Sequence, residues 1–198
     1  MEKETLKNIF NFLEEKEGKK SKHKYGLKWK LTFNEPLNKE YLNVKGNLDL
    51  KYSEITSLPE GLKVGGWMSL GSSKIESLPE GLEVGGDLDL SGSGIETLPK
   101  DLKVEGNLIL IGSKITSLPE GFNVVGVLCL YNTEIESLPK GLKVGDQLDL
   151  RFTKITSLPR GLEVGGILRI DHTDLDNYSD DDLRQMVKPG FIKGEIYR

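Results

Sequence analysis

Residue types capable of covalent or metal chemistry are few and scattered in this 198-residue chain. Cys129 is the only cysteine, and the two histidines, His23 and His172, lie far from it and from each other in sequence. A thiol becomes a good nucleophile when a neighbouring base or cation stabilises the thiolate. Cys129 has no histidine nearby to do this, and alone it can form neither an internal disulfide nor a cysteine-based metal cluster. Three aspartates, Asp49, Asp87 and Asp89, are the only carboxylate cluster on the expected sheet face. Acid–base catalysis would also require a partner base, a phosphate-cradling glycine loop or a histidine, and none accompanies them. The sequence therefore points away from an enzyme, a cofactor and a metal centre. What remains is chemistry of recognition, carried by aromatic, aliphatic and charged side chains at regular intervals.

Those intervals come from a twenty-residue phrase, x-L-x-V-x-G-x-L-x-L-x-x-T-x-I-x-S-L-P-x-G, which runs in register from Leu42 to near Ser179. Leu48, Met68, Leu88, Leu108, Leu128, Leu148 and Leu168 share one phase. Ile55, Ile75, Ile95, Ile115, Ile135, Ile155 and Leu175 share another. One repeat cannot bury its own apolar side, so stacked neighbours must supply the core of a solenoid. The alternation Asn47-Leu48-Asp49-Leu50 has the period of a strand with both leucines on one face. A coil holding a strand, a Gly-Gly corner and a Leu-Pro step leaves no room for an ordinary helix. The expectation is a β-rich solenoid, a right-handed coil with a parallel sheet on one face and a non-helical, irregular or 3₁₀ return side. Residues of the Leu42, Val44, Leu48, Leu50, Ile55 and Leu58 type point inward.

The polar constants also have physical roles. The glycine column from Gly46 to Gly166 marks a corner where a Cβ clashes or φ is positive, and Asp146, which interrupts it, belongs to a type that tolerates the left-handed region. The hydroxyl column Ser53, Ser73, Ser93, Ser113, Thr133, Thr153 and Thr173 is positioned to satisfy backbone groups of its own or the next turn. The prolines, which cannot donate, lie outside the sheet ladder.

Residues alternating with the inward leucines face solvent on the sheet side, stacked about 4.8 Å apart. Ile109 and Ile111 beside Val127, Cys129 and Tyr131 form an apolar island, with Trp67 two to three coils away. Asp87, Asp89, Asp149, Arg151 and Arg169 surround it with charge. An apolar centre with a charged rim is the composition of a protein-binding face; a cap folding over the island is the structural alternative. Trp67 with the aspartate column also leaves carbohydrate recognition open, with less support.

Residues 1–41 and 179–198 do not follow the phrase and are expected to cap the solenoid, leaving seven repeats over 42–178. Leu6, Ile9, Phe10 and Leu13 have helical spacing, while Tyr25, Leu27, Trp29, Leu31 and Phe33 alternate as a strand. Lys19, Lys20, Lys22, Lys24, Lys28 and Lys30, interleaved with His23, Tyr25 and Trp29, form a patch able to touch nucleic acid or an acidic partner. At the other end, Ser179 before Asp180, Asp181 and Asp182 has the form of an N-cap with an acidic first turn. The short helix it starts is ended by Pro189-Gly190, and the residues from Phe191 to Tyr197 can form a final strand.

The phrase L-x-L-x-x-T-x-I-x-S-L-P-x-G-L resembles the leucine-rich repeat in its short bacterial form, with Ser or Thr standing where many members carry a ladder asparagine. It is similar to the repeat arms of secreted bacterial effectors and to repeat proteins of bacterial and phage genomes. The resemblance implies a non-enzymatic module that binds, and so masks or inhibits, a partner protein, a host protein if the gene is phage-borne. The ubiquitin-ligase activity of some effectors needs a catalytic cysteine in a further domain. The short flanks here have no cysteine, so that activity is not carried over. A net charge of −4 with mixed signs opposes a surface wholly devoted to nucleic acid or anionic membrane. No apolar run approaches a membrane span, and Met1-Glu2-Lys3-Glu4 does not open a signal peptide. A soluble, cytoplasmic location is expected, the host cytosol for a phage protein. Nucleic-acid binding through the lysine-rich segment is the alternative function.

Overall fold

The computed structural model describes residues 30, 31 and 39–198. Over these residues the repeats stack as a parallel β-solenoid, and each coil carries two two-residue strands on either side of the glycine corner. In chain order the strands are Asn43–Val44 (β1), Leu48–Asp49 (β2), Lys63–Val64 (β3), Met68–Ser69 (β4), Glu83–Val84 (β5), Leu88–Asp89 (β6), Lys103–Val104 (β7) and Leu108–Ile109 (β8). They continue with Asn123–Val124 (β9), Leu128–Cys129 (β10), Lys143–Val144 (β11), Leu148–Asp149 (β12), Glu163–Val164 (β13), Leu168–Arg169 (β14), Phe191–Ile192 (β15) and Ile196–Tyr197 (β16). The even-numbered strands form one continuous eight-stranded sheet, β2-β4-β6-β8-β10-β12-β14-β16. The odd-numbered strands form a second layer, where the sequence suggested a single sheet. That layer is split into two four-stranded sheets, β1-β3-β5-β7 and β9-β11-β13-β15.

Register is in phase with the repeat: Leu48 pairs Met68, Leu128 pairs Leu148, and Val144 pairs Val164. A slip by one residue would turn the buried leucines out to water, so the apolar columns fix the pairing. The columns of Leu48, Leu50, Ile55 and Leu58 and of Leu62 and Val64 are buried and form one continuous core. At roughly 1.5–3 kcal/mol for each aliphatic side chain removed from water, these columns are the main favourable term. The return side through Ile55 and Leu58 is irregular. Among the described residues, 3₁₀ turns occur at Lys39–Leu42, where the first coil begins, and at Asp174–Asn177, on the return side of the last coil.

The two glycine-bearing corners differ in physical origin. At the corner between the two strands, a Cβ on Gly86 would lie 2.9 Å from the Trp67 amide nitrogen, and one on Gly85 would lie 2.6 Å from the Gly65 carbonyl oxygen. Contact, not a left-handed φ, disfavours side chains here, and Asp146, which carries one, does not adopt positive φ as its residue type suggested. Left-handed backbone occurs elsewhere. Gly61, Gly81, Gly121, Gly141 and Gly161, just before the odd-numbered strands, have φ of 68–82°. A further column at the end of the even-numbered strands, Tyr52, Ser72, Gly92, Gly112, Asn132, Phe152 and His172, has φ of 53–62°.

The hydroxyl column closes that last turn from within its own coil. Ser53, Ser73, Thr153 and Thr173 each donate to the carbonyl three residues earlier at 2.6 Å, and Ser113 and Thr133 do so at 2.8 Å. Ser93 is the exception, its buried hydroxyl having no partner among the described residues.

At the C-terminal end Ser179 caps helix α1, Asp180–Met186, in a capping box. The Ser179 hydroxyl accepts from the Asp182 amide, and the Asp182 carboxylate accepts from the Ser179 amide, so two otherwise orphaned donors are satisfied. The helix lengthens the return side, so Glu163 pairs with Phe191, 28 positions on, instead of the usual twenty. Strands β15 and β16 then cover the open edges of β13 and β14, and the Arg184 guanidinium donates to the carbonyls of Ile192 and Gly194. At the other end, Lys30 and Leu31 are helical where alternation predicted a strand. Leu31 packs against the core and the Lys30 ammonium stands 5.0 Å from the centre of the Tyr41 ring; docking overrides a short alternating pattern. The expected helix through Leu6 to Leu13 lies outside the described residues.

Candidate functional site

Because the even-numbered strands alternate, three columns of side chains stand on the open face of the eight-stranded sheet, beginning at Asn47, Asp49 and Lys51. The sheet is a firm base. Along its whole length amides such as Leu48, Leu88, Leu128 and Leu168 bond to the next coil at 2.8–3.0 Å. Trp67 and Ile111 project into solvent with 41% and 40% of their surfaces exposed, and Ile109, in the same coil as Ile111, and Val127, in the next, are half-buried. Asp87 is exposed and Asp89 half-buried at one end of the face, and Arg151 and Arg169 are half-buried at the other.

Two residues expected on the open surface are not there. Cys129 is only 8% exposed and Asp149 only 2%. The cause is local. Arg151, two residues after Asp149, folds back and forks onto its carboxylate, Nε to Oδ1 at 2.9 Å and Nη2 to Oδ2 at 2.7 Å. The guanidinium also lies 5.1 Å from the Tyr131 ring centre, and Cys129 Sγ lies 3.9 Å from Asp149 Oδ2. Burial raises the Cys129 thiol above its ordinary pKa, with the Asp149 carboxylate adding to the effect against opposing contributions from the Tyr131 backbone and Arg151. The thiol is held protonated, the opposite of what a nucleophile needs. The same fork raises the already high pKa of Arg151, fixing it as a permanent cation. Among the described residues no group of three His, Cys, Asp or Glu side chains is placed to hold a metal ion.

The face is graded from end to end. Asp49, Asp87 and Asp89 with Trp67 occupy the first coils, the isoleucines and Val127 the middle, and Arg151 the far end. There the aromatic rings continue round the corner. Tyr131 meets Phe152 edge-on at 5.4 Å and Phe152 stacks on His172 at 4.2 Å. Phe152, with 44% of its surface exposed, belongs to the left-handed column. Sequence periodicity did not single it out as a surface feature, although Gly92, Gly112 and Asn132 in the same phase signal a positive-φ turn.

A second device was also missed. Asn47 Oδ1 accepts from the Trp67 amide at 3.1 Å, Asp87 Oδ1 from the Asn107 amide at 2.7 Å, and Asn107 Oδ1 from the Val127 amide at 2.8 Å. One oxygen of Asp87 is therefore structural, stitching coil to coil, and the signal was the recurrence of Asn or Asp at twenty-residue spacing. Of the lysine-rich patch, Lys19, Lys20, Lys22, Lys24 and Lys28 lie outside the described residues. Among the described residues no helix is long and apolar enough to cross a membrane. No family model matches this chain, and no curated protein matches it significantly.

Proposed function

We propose that this chain is a leucine-rich-repeat-type binding module that uses the open face of its eight-stranded sheet to hold, and thereby mask, a partner protein. The observation that carries the reading is the row of exposed and half-exposed apolar side chains, Trp67, Ile109, Ile111 and Val127, on a continuous hydrogen-bonded sheet with charged groups at both ends. Aromatic and aliphatic anchors supply affinity once water is excluded, and rim charges set orientation and encounter rate. A pre-formed sheet spends little conformational entropy on binding. An inhibitory role, in a bacterial or phage setting, is supported only by the resemblance of the repeat phrase to such proteins.

The test uses a photoreactive benzoylphenylalanine at position 111, compared with the same residue at Glu136 on the exposed return side. A discrete protein adduct at 111 and none at 136, formed in cells of the source organism, is the expected result. The adduct should disappear in Trp67→Asn with Ile111→Lys, substitutions that copy Asn47 and Lys51 from the same columns, while the melting temperature stays within a degree or two. Equal adducts at both positions, or no effect of the double variant, would remove the open face from consideration.

A further inference from the structure

The acid-rich end of the face is a shaped groove of about 440 Å³. Its floor is Ser69, flanked in register by Asp49 and Asp89 on the neighbouring strands, and Trp67 and Asp87 line it as well. The next position along the chain on this face is Gly71, which adds no side chain. The small Ser69 beside an exposed indole leaves the hollow, while over Gly71 lie the Asp89 carboxylate and the Lys51 stem, 3.1 and 3.5 Å from where a Cβ would stand.

The hydrogen-bonding character of the hollow is one-sided. Asp89 Oδ1 takes both the amide and the hydroxyl of Ser91, at 3.0 and 2.6 Å, and Oδ2 takes the Ser69 hydroxyl at 3.1 Å. The two hydroxyl donors of the groove are thus spent on one carboxylate. Asp49 and Asp87 each use Oδ1 on a backbone amide, and among the described residues their Oδ2 atoms have no hydrogen-bond partner. None of the three carboxylates is in an ion pair among the described residues. This contrasts with Asp149 on the same face and with Glu54, Glu83, Glu134 and Glu163 elsewhere, all of which are matched by Lys or Arg. Among the described residues Lys51 is the one cation at the groove, and its ammonium stands 5.2 Å from the Tyr52 ring centre.

A site with three carboxylates against one ammonium, beside an aromatic wall, suits a cationic ligand with a flat face. A sugar hydroxyl is neutral and would leave that excess of negative charge unmatched. A divalent ion would need the carboxylates to converge, and they do not. A guanidinium has five donors, no acceptor, and a flat face that stacks on indole. Resting on the reading of the open face as a protein-binding surface, we propose that the Trp67 groove receives a basic side chain, arginine in preference to lysine, from the partner protein.

The probe is acetyl-tetra-arginine amide, titrated into the full chain carrying Trp29→Phe so that Trp67 alone reports by fluorescence. A saturable change in emission is expected with this peptide, a weaker one with tetra-lysine, and none with the neutral isostere tetra-citrulline. Asp49→Asn with Asp87→Asn keeps both Oδ1 acceptors and removes two charges; it should weaken tetra-arginine binding at least tenfold with unchanged melting. An equal response to citrulline, or undiminished affinity in the double variant, overturns the proposal. So does binding that emerges only after Lys19, Lys20, Lys22 and Lys24 are changed to Gln, which would assign the groove to the chain's own lysine-rich segment. Failure of every peptide while the position-111 adduct persists would remove the arginine assignment and leave the binding face standing.

Discussion

The two sheet layers are built from the same coils by the same repeat, yet one runs unbroken through eight strands and the other stops between β7 and β9. The difference lies in which way the variable side chains point. On the eight-stranded sheet they stand away from the backbone, so Trp, Asp, Ile, Gln or Arg can occupy one column without disturbing the ladder. In the split layer the corner residue following each strand faces the coil below. Glycine fills that position in Gly65, Gly85, Gly145 and Gly165, whereas Glu105 and Val125 bring side chains to it. The Glu105 amide still bonds to the Val84 carbonyl at 3.0 Å. At the β-branched Val125 pairing is lost, and Phe122 in place of leucine and Asp101 in place of the left-handed glycine lie beside it. All four departures line one cleft of about 310 Å³. A repeat therefore tolerates variation according to the direction a position faces, independently of its distance from the core.

The most damaging way to probe this contrast is to place the same new side chain in both layers of one coil. A Cβ at Gly145 would overlap the carbonyl oxygen of Val125, so Gly145→Val should extend the split to β9 and β11. The expected loss is about 1–3 kcal/mol, the usual cost of overfilling a packed site. Gln147→Val, two residues on, copies Val127 in its own column and should change stability by no more than about 0.5 kcal/mol. Denaturant unfolding of the two variants side by side decides the matter, and equal losses would refute the directional account.

The reverse experiment repairs the break. Val125→Gly with Phe122→Leu restores the consensus corner and should let the Asn123 amide and the amide at position 125 pair with β7. Two recovered hydrogen bonds contribute about 0.5–1.5 kcal/mol each, offset in part by the roughly 0.5–1 kcal/mol that the added glycine costs in chain entropy. The net gain in stability is therefore about 1 kcal/mol. Hydrogen exchange gives the cleaner readout. These two amides should move from fast exchange in the native chain to the protection of Lys143 and Gly145, which bond to Phe122 and Val124 at 3.0 and 2.9 Å.

The same asymmetry explains what could be read from the residues in advance. The apolar columns have only one workable placement, so the solenoid, its inward set and the capped C-terminal helix were legible from spacing. The second strand of each coil was hidden because Lys63–Val64 and its equivalents are two residues long and adjoin glycine, too short for alternation to register. On the open face, Trp67, Asp87 and Ile111 were placed correctly because a two-residue period fixes their side. Cys129 and Asp149 were not. Their burial comes from Arg151 and its neighbours folding across them, a contact between side chains that strand period does not encode. The groove at Trp67 was likewise invisible as a groove, since it arises from the small side chain of Ser69 and from how its neighbours settle around it.

The smallest effect concerns the third corner, where dihedral angle rather than collision is the constraint. Glycine is the natural occupant, as at Gly92 and Gly112, and a bulky side chain at positive φ is disfavoured by roughly 1–2 kcal/mol. Asparagine, present at Asn132, meets the same demand at lower cost. Tyr52, with φ of 57° and 72% of its surface exposed, has among the described residues the Lys51 ammonium 5.2 Å from its ring centre and no aromatic neighbour, so Tyr52→Asn should stabilise the chain by about 0.5–1 kcal/mol. Phe152 has nearly the same φ, 56°, but is held between Tyr131 and His172. Aromatic pairs contribute about 0.5–1.5 kcal/mol, so Phe152→Asn should gain nothing or lose slightly. At the first corner a side chain must displace neighbouring backbone, as at Val125, where pairing is lost, whereas strain at this one can be balanced by a neighbour. If Phe152→Asn stabilises as much as Tyr52→Asn, the aromatic stack contributes nothing, and the two corners differ only in degree.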